Sequence, residues 1–319
     1  MMIQKRRIPS VDLSLSLLGL GCAPFGGEGW GGQDDGLSAE AMQICSDAGI
    51  THFDTAAHYG QGHSETVVGG FIKDKRNALT IATKAFPLET TSEYILQQVD
   101  ASRDRIGIDV IDIFYIHWPR AGHDMRPVME GLEKAREQGK VRAIGVSNFS
   151  VEQMTQVAEV GRIDVHQTCY NLLWRFPEAE LFPYCIQNEI ALVTYSSLAL
   201  GILTGKFPIS PEFLGDDFRA NTVFFLPEVW PQLYVAVQEM VKVADRVRLP
   251  LAHIAMQWLA GQPGVTSILV GARNAQQAAD NIVAFDSDIP KDAMEEVEQI
   301  SDETWRRLPQ VENIFQFYP

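Results

Sequence analysis

A closed (β/α)8 barrel, the TIM-barrel class of α/β fold, is the architecture this sequence predicts, on three observations. Eight short apolar runs recur along the chain. Segments with helical spacing separate them, at intervals of about 30 residues from the second run to the sixth, as linked βαβ units require. The Gly-x-Gly-x-x-Gly turn of an open doubly wound sheet is missing, because "GLGCAPFGGEGWGGQDDG" runs on from the first strand as a long glycine-rich loop.

In order, the strands are "LLGLG", "THFDT", "LTIATK", "IDIFYIHW", "VRAIGVSN", "DVHQTCY", "ALVTYSS" and "TSILVG". Between them, "SAEAMQICSDAG", "TTSEYILQQVDASRDRIG", "MRPVMEGLEKAREQG" and "SVEQMTQVAEVG" read as helices, each with a capping Ser or Thr or a closing Gly. Two places break the cycle: residues 201–232 after the seventh strand, and the tail beyond Asp286. Loops of that length after barrel strands cover the active face. No linker divides the 319 residues, and barrels of this length commonly form one domain, so a single domain over 1–319 is expected.

The formal charge of -15 repels polyanions and argues against nucleic acid as a partner. Cys22, Cys45, Cys169 and Cys185 lie far apart, with neither metal-site nor disulfide spacing, and read as core thiols. Cys22 is taken as a packing residue. Lys5, Arg6 and Arg7 precede "LSLSLLGLGC", but Asp12 and the alternating serines interrupt the apolar run. That run therefore reads as strand rather than export signal or membrane segment, and a cytoplasmic protein without membrane partners is expected.

In such barrels the carboxyl ends of the strands build the site. Asp54 ends the second strand, Lys84 the third, His117 the fourth, Ser147 and Asn148 the fifth, Gln167 the sixth and Tyr195 the seventh. Tyr59 follows Asp54 by five residues. A phenol titrates near pH 10, so it exchanges protons readily at neutral pH only beside a cation. Lys84 can be that cation, Asp54 can hold it charged, and His117 can donate a hydrogen bond to a carbonyl oxygen. The set fits proton transfer to a carbonyl. It contains no hydride source, so a redox reaction needs an organic cofactor.

At these residues the chain resembles the aldo-keto reductase superfamily. "GITHFDTAAHYGQGHSE", "IATK", "IDIFYIHWP" and "GKVRAIGVSNFS" are similar to that family's motifs, and the likeness covers nearly the whole chain. It implies a (β/α)8 oxidoreductase using NADP(H), with NAD(H) less favoured, on a small carbonyl or alcohol substrate. The catalytic tetrad it implies is Asp54, Tyr59, Lys84 and His117, with Tyr59 as general acid. By the same resemblance Ser147, Asn148 and Gln167 hold the nicotinamide carboxamide and Tyr195 stacks on its ring. Ser196, Leu198, Gly201, Lys206 and Arg219 fall at pyrophosphate positions, and Gly271, Arg273, Gln277 and Asn281 around the adenosine phosphate. Many relatives carry Lys at the position of Gly271 and Arg at that of Gln277, which leaves the 2′-phosphate to Arg273. Cys22, Ala23 and Pro24 stand where relatives often have a threonine and an aromatic residue, which implies a different pocket wall.

Among aromatic residues, Trp30, Trp118, Trp174 and Phe224 are candidates to line a substrate pocket; Trp118, beside His117, is the first choice of the four, with plain packing an equal alternative. His58 and His63 read as loop residues, His52 and His166 as core histidines. Two other function classes compete. Potassium-channel β subunits of this family bind NADP(H) as regulators, but they typically have asparagine where this chain has His117. A barrel aldolase would use Lys84 as a Schiff base.

Overall fold

The computed structural model describes residues 3–29, 32–213, 215, 217–311 and 313–315. The chain opens with a hairpin that periodicity reads only as strand: β1 (Lys5–Arg7) pairs antiparallel with β2 (Ser14–Ser16). Eight parallel strands follow and close into a barrel: β3 (Leu18–Gly21), β4 (His52–Asp54), β5 (Thr80–Ala85), β6 (Ile111–Ile116), β7 (Val141–Ser147), β8 (Val165–Cys169), β9 (Ala191–Tyr195) and β10 (Val265–Gly271). Neighbours in sequence are neighbours in the barrel, and β10 closes on β3 through Gly271 opposite Gly21.

Side chains alternate along each strand, so one set fills the barrel and the other faces the helices. Ala82, Ile113, Tyr115, Ala143, Val165, Ala191, Val193 and Leu269 form the inner set. Ile8, Leu13 and Leu15 of the hairpin pack against them and close the amino end of the barrel. The hairpin thus buries apolar residues that would otherwise face water at the base.

The helices are α1 (Asp35–Asp47), α2 (His63–Ile72), α3 (Ser92–Ile106), α4 (Arg126–Glu137), α5 (Val151–Val157), α6 (Leu181–Gln187), α7 (Trp230–Arg246), α8 (Leu251–Gly261), α9 (Ala275–Val283) and α10 (Lys291–Trp305). Their ends follow local chemistry. Asp34 accepts from the Leu37 amide, Thr91 from that of Tyr94 and Asn274 from that of Gln277, while Ser150 and Gln153 form a reciprocal capping box. The first helix starts three residues before its expected serine because Asp34 supplies the cap. Two helices, α7 and α8, occupy the β9–β10 connection, where the regular cycle breaks. No helix among the described residues is long and apolar enough to cross a membrane.

Candidate active site

The carboxyl ends of the barrel strands open into one cavity of about 1230 Å³. Asp54 and Lys84 are inward residues at the tops of β4 and β5, 3 % and 1 % exposed. The Lys84 ammonium donates to Asp54 Oδ1 and, at 2.9 Å, to the Thr55 carbonyl. Gln167 Nε2 donates to Asp54 Oδ2 at 2.9 Å, so both carboxylate oxygens are engaged. Burial works against a charged Lys84, yet the Asp54 carboxylate and the Tyr59 phenol outweigh it and raise its pKa. Lys84 is a fixed cation.

Tyr59 reaches that cation from the β4–α2 loop, its ring centroid 5.2 Å from Lys84 Nζ. Burial pushes the phenol above its ordinary pKa of 10 while the Lys84 ammonium pulls it down. The lysine acts in the expected direction, but desolvation wins. Backbone geometry fixes the loop: the Thr55 amide donates to the Ala82 carbonyl at 2.8 Å and the Ala57 amide to the Lys84 carbonyl at 2.9 Å. Gly60 has φ of 58° and touches Gly26 so closely that a Cβ on Gly60 would lie 2.3 Å from the Gly26 carbonyl oxygen. Glycine is required at that contact.

His117 follows β6, with its ring edge-on to Tyr59 at 6.0 Å and stacked on Phe86 at 4.6 Å. Burial, helped by the Lys84 charge and His58, holds it well below the ordinary imidazole pKa. It is neutral at physiological pH, and its Nδ1 has no hydrogen-bond partner among the described residues. A neutral imidazole can donate one hydrogen bond to a carbonyl oxygen without adding a second cation beside Lys84.

On the opposite wall, Ser147 and Gln167 are paired in register at the ends of β7 and β8. Asn148 takes a left-handed φ of 63°, tolerated by Asn better than by most residues. It donates to the His117 carbonyl at 3.1 Å and to Ser147 Oγ at 3.0 Å, and accepts from the Tyr195 hydroxyl at 2.7 Å. The Tyr195 ring is thereby locked at the top of β9. Beyond it, Ser196, Ala199, Leu200 and Gly201 all have positive φ, and Ser196, Leu198, Gly201 and Lys206 line the cavity. Arg219 also lines it, held by Asp217 through several hydrogen bonds, the shortest 2.6 Å. Gly271, Arg273, Gln277 and Asn281 form the far end. The Arg273 guanidinium donates to Gln33 Oε1 at 3.0 Å and to the Gly32 carbonyl. It is clamped by neutral acceptors and meets no carboxylate among the described residues.

The structure thus brings the described candidate residues to one cavity, apart from some aromatic ones. Lys84 sits just beneath the lining. Trp118 lines the cavity. Trp174 and Phe224 do not: they are buried against one another, and Trp174 also packs on Trp305, behind the wall. Their place in loops after strands suggested a pocket, but both are consumed by packing. Trp30 lies outside the described residues. His58 lines the cavity, whereas His63 pairs with Asp35 at the surface. His52 and His166 each satisfy one ring nitrogen, on Ser267 and on the Phe149 carbonyl. The four cysteines are free and buried, and burial raises the Cys22 thiol well above its ordinary value, consistent with packing.

Three contributors escaped the sequence reading. Phe86 lies two residues past Lys84, where position alone could have found it. Gln33 clamps Arg273 from the β3–α1 loop. Phe315 of the tail stacks parallel to Tyr195 at 6.2 Å and edge-on to Trp118 at 6.3 Å. No local signal places a tail.

Comparison with known proteins agrees with this geometry. The family model described as "Aldo/keto reductase family" matches residues 17–302. Aldo-keto reductase YhdN of Bacillus subtilis is 36% identical over 281 residues, covering 85% of each chain. The NADH-specific methylglyoxal reductase of Escherichia coli is 30% identical over 312 residues, covering 88% of this chain and 93% of that one. The glycerol dehydrogenase AKR11B4 from Gluconobacter oxydans superposes with a TM-score of 0.84 at 31% identity, covering 94% of this chain and 95% of the other. Fold, site and likeness converge, and the chain belongs to the aldo-keto reductase family of oxidoreductases.

Proposed function

We propose that the protein is an NADP(H)-dependent carbonyl reductase that also oxidises the corresponding alcohols, with Tyr59 as its general acid. The observation that carries this reading is a half-buried phenol beside a lysine held cationic by Asp54, at the floor of a cavity lined by Trp118 and Phe86. The donor set fits a nicotinamide dinucleotide. Ser147, Asn148 and Gln167 offer amide-recognising groups around the Tyr195 ring, and Arg273 lies just before the α9 N-terminus, suited to a phosphate. The cavity of about 1230 Å³ exceeds the roughly 300–1,000 Å³ of ordinary small-molecule pockets.

When bound, the reduced nicotinamide supplies the hydride. The protein's own part is to hold the carbonyl oxygen between Tyr59 and His117 and to give it the phenolic proton. Lys84 stabilises the tyrosinate left behind, and Asp54 keeps Lys84 charged and in place. Phe86 stacks on the imidazole and fixes its plane. In the oxidative direction the tyrosinate takes the proton back.

NADP is preferred over NAD because, among the described residues, the Arg273 side chain meets only neutral acceptors and its charge is left for a 2′-phosphate. A raised Lys84 pKa counts against an aldolase, which needs a neutral amine. The test is NADPH consumption with a panel of aromatic aldehydes and small ketoaldehydes. Wild type turns over, while Tyr59→Phe binds NADPH and loses nearly all activity. Cofactor binding without turnover on any carbonyl would refute the catalytic reading and favour a regulatory subunit. Retained turnover in Tyr59→Phe would refute the acid.

A further inference from the structure

Glu65 closes the stretch that carries Asp54 and Tyr59, and proton transfer as described gives it nothing to do. Its carboxylate is fully buried, a costly place for a charge unless it is paired and hydrogen-bonded. Both oxygens are satisfied: Thr83 Oγ1 donates to Oε1 at 2.5 Å and Arg105 Nε of α3 donates to Oε2 at 2.5 Å. The preceding residue, Ser64, accepts from Thr55 Oγ1 and donates to the Cys22 carbonyl, both at 2.8 Å. The first turn of α2 is therefore fastened to the chain at the ends of β3 and β4 and to β5 itself.

The fastening to β5 falls next to the reacting groups. Thr83 immediately precedes Lys84, and strand alternation sends Lys84 into the barrel and Thr83 outward to Glu65. Five residues separate Tyr59 from Glu65, and the intervening chain is tightly confined. Gly60 abuts Gly26, and a Cβ on Gly62 would lie 2.5 Å from Arg105 Cδ. Movement of Glu65 is thus transmitted to Tyr59 through a short, tightly packed segment.

We infer that Glu65 is a positioning residue: by tying α2 to the outer face of β5 at the residue before Lys84, it sets the spacing between the Tyr59 phenol and the Lys84 ammonium. The consequence for reaction rests on the reading of Tyr59 as general acid, but the spacing itself does not. The titratable groups around Tyr59 are Lys84, Asp54, Cys22, His117 and Tyr195, and a substitution at Glu65 leaves the chemical identity of each unchanged.

The experiment is an alkaline titration of the tyrosinate absorbance, with Tyr59→Phe subtracted to isolate Tyr59, in wild type and Glu65→Gln. Looser contact with Lys84 moves Tyr59 ionisation to higher pH. It also lowers kcat by about tenfold or more, with NADPH affinity unchanged within about twofold. A folded Glu65→Gln whose Tyr59 titration and kcat match wild type overturns the inference, even if it melts earlier. Should Glu65→Gln fail to fold, Thr83→Val keeps the Glu65–Arg105 pair and shifts the titration the same way, and Thr83→Ser, which keeps the donor, restores it. No shift in Thr83→Val overturns the inference equally. If wild type reduces no carbonyl, the functional reading fails while the titration still decides the role of Glu65.

Discussion

Substitution of Gly60 by alanine tests how the fold delivers the phenol. A Cβ at this position would lie 2.3 Å from the Gly26 carbonyl oxygen and 2.8 Å from its Cα, where ordinary contact begins at 3.4 Å. The shortfall of about 1.1 Å must be met by parting the β3–α1 loop from the backbone that carries Tyr59, since both sides are main chain. A displacement of about 1 Å at a reacting group costs on the order of 10²-fold in rate, or about 2.7 kcal/mol of barrier. The left-handed φ adds about 1 kcal/mol of folding cost for a residue with a Cβ. Gly139→Ala separates the two effects, because Gly139 has φ of 70° and nothing within 4 Å of an added Cβ. Melting temperature and steady-state NADPH oxidation are measured on both variants, with the NADPH dissociation constant from tryptophan quenching. Gly139→Ala loses stability alone. Gly60→Ala loses kcat by about 10²-fold while binding NADPH normally. A folded Gly60→Ala with kcat within twofold of wild type would show that the Gly26–Gly60 contact does not place Tyr59.

Three further outcomes follow from the same geometry. Arg273→Ala weakens NADPH binding by about 1.5–3 kcal/mol, the worth of a charge-assisted bond, and leaves NADH binding nearly unchanged; equal losses for both would remove the 2′-phosphate role. Asp54→Asn leaves Lys84 buried without its counter-charge and costs about 3–5 kcal/mol of stability at pH 7. Because the folded pKa of Lys84 is raised, the pair's contribution is complete below the unfolded lysine value and is lost as pH rises through the folded one. The gap between wild type and variant in urea unfolding therefore narrows only in strong alkali, and a constant gap sinks the assignment. Burial lowers His52 and His166 from 6.5 to about 4. The unfolded chain then takes up protons that the folded one refuses, so stability falls between pH 6.5 and 4 by about 3 kcal/mol per histidine; a flat urea midpoint across that window would refute it.

Strand order and most of the site were legible because the information is local. Alternating apolar runs and their helical partners define eight βα units, and a polar residue closing each run falls at the carboxyl end by chain direction alone. Asp54, Lys84, His117, Gln167 and Tyr195 were placed that way, and resemblance assigned the roles proposed for them. What spacing could not show is what side chains do after the chain closes on itself. Trp174 and Phe224 look like pocket aromatics in sequence and are taken by packing on one another, Trp174 also on Trp305, while Phe315, far along the tail, comes to rest on Tyr195.

The sequence by itself determined the barrel, the order of its strands and the residue types at their mouths, since periodicity and strand direction need no long-range information. Only the tertiary structure decided the distances that make those residues a device. The contact of Gly26 with Gly60 and the clamp of Glu65 on Thr83 and Arg105 join segments from 18 to 40 residues apart, and the hairpin that closes the base packs on strand residues from Ala82 to Leu269. Contacts of that range are fixed by packing and by the need to pair buried charge. Neither leaves a local pattern in the chain.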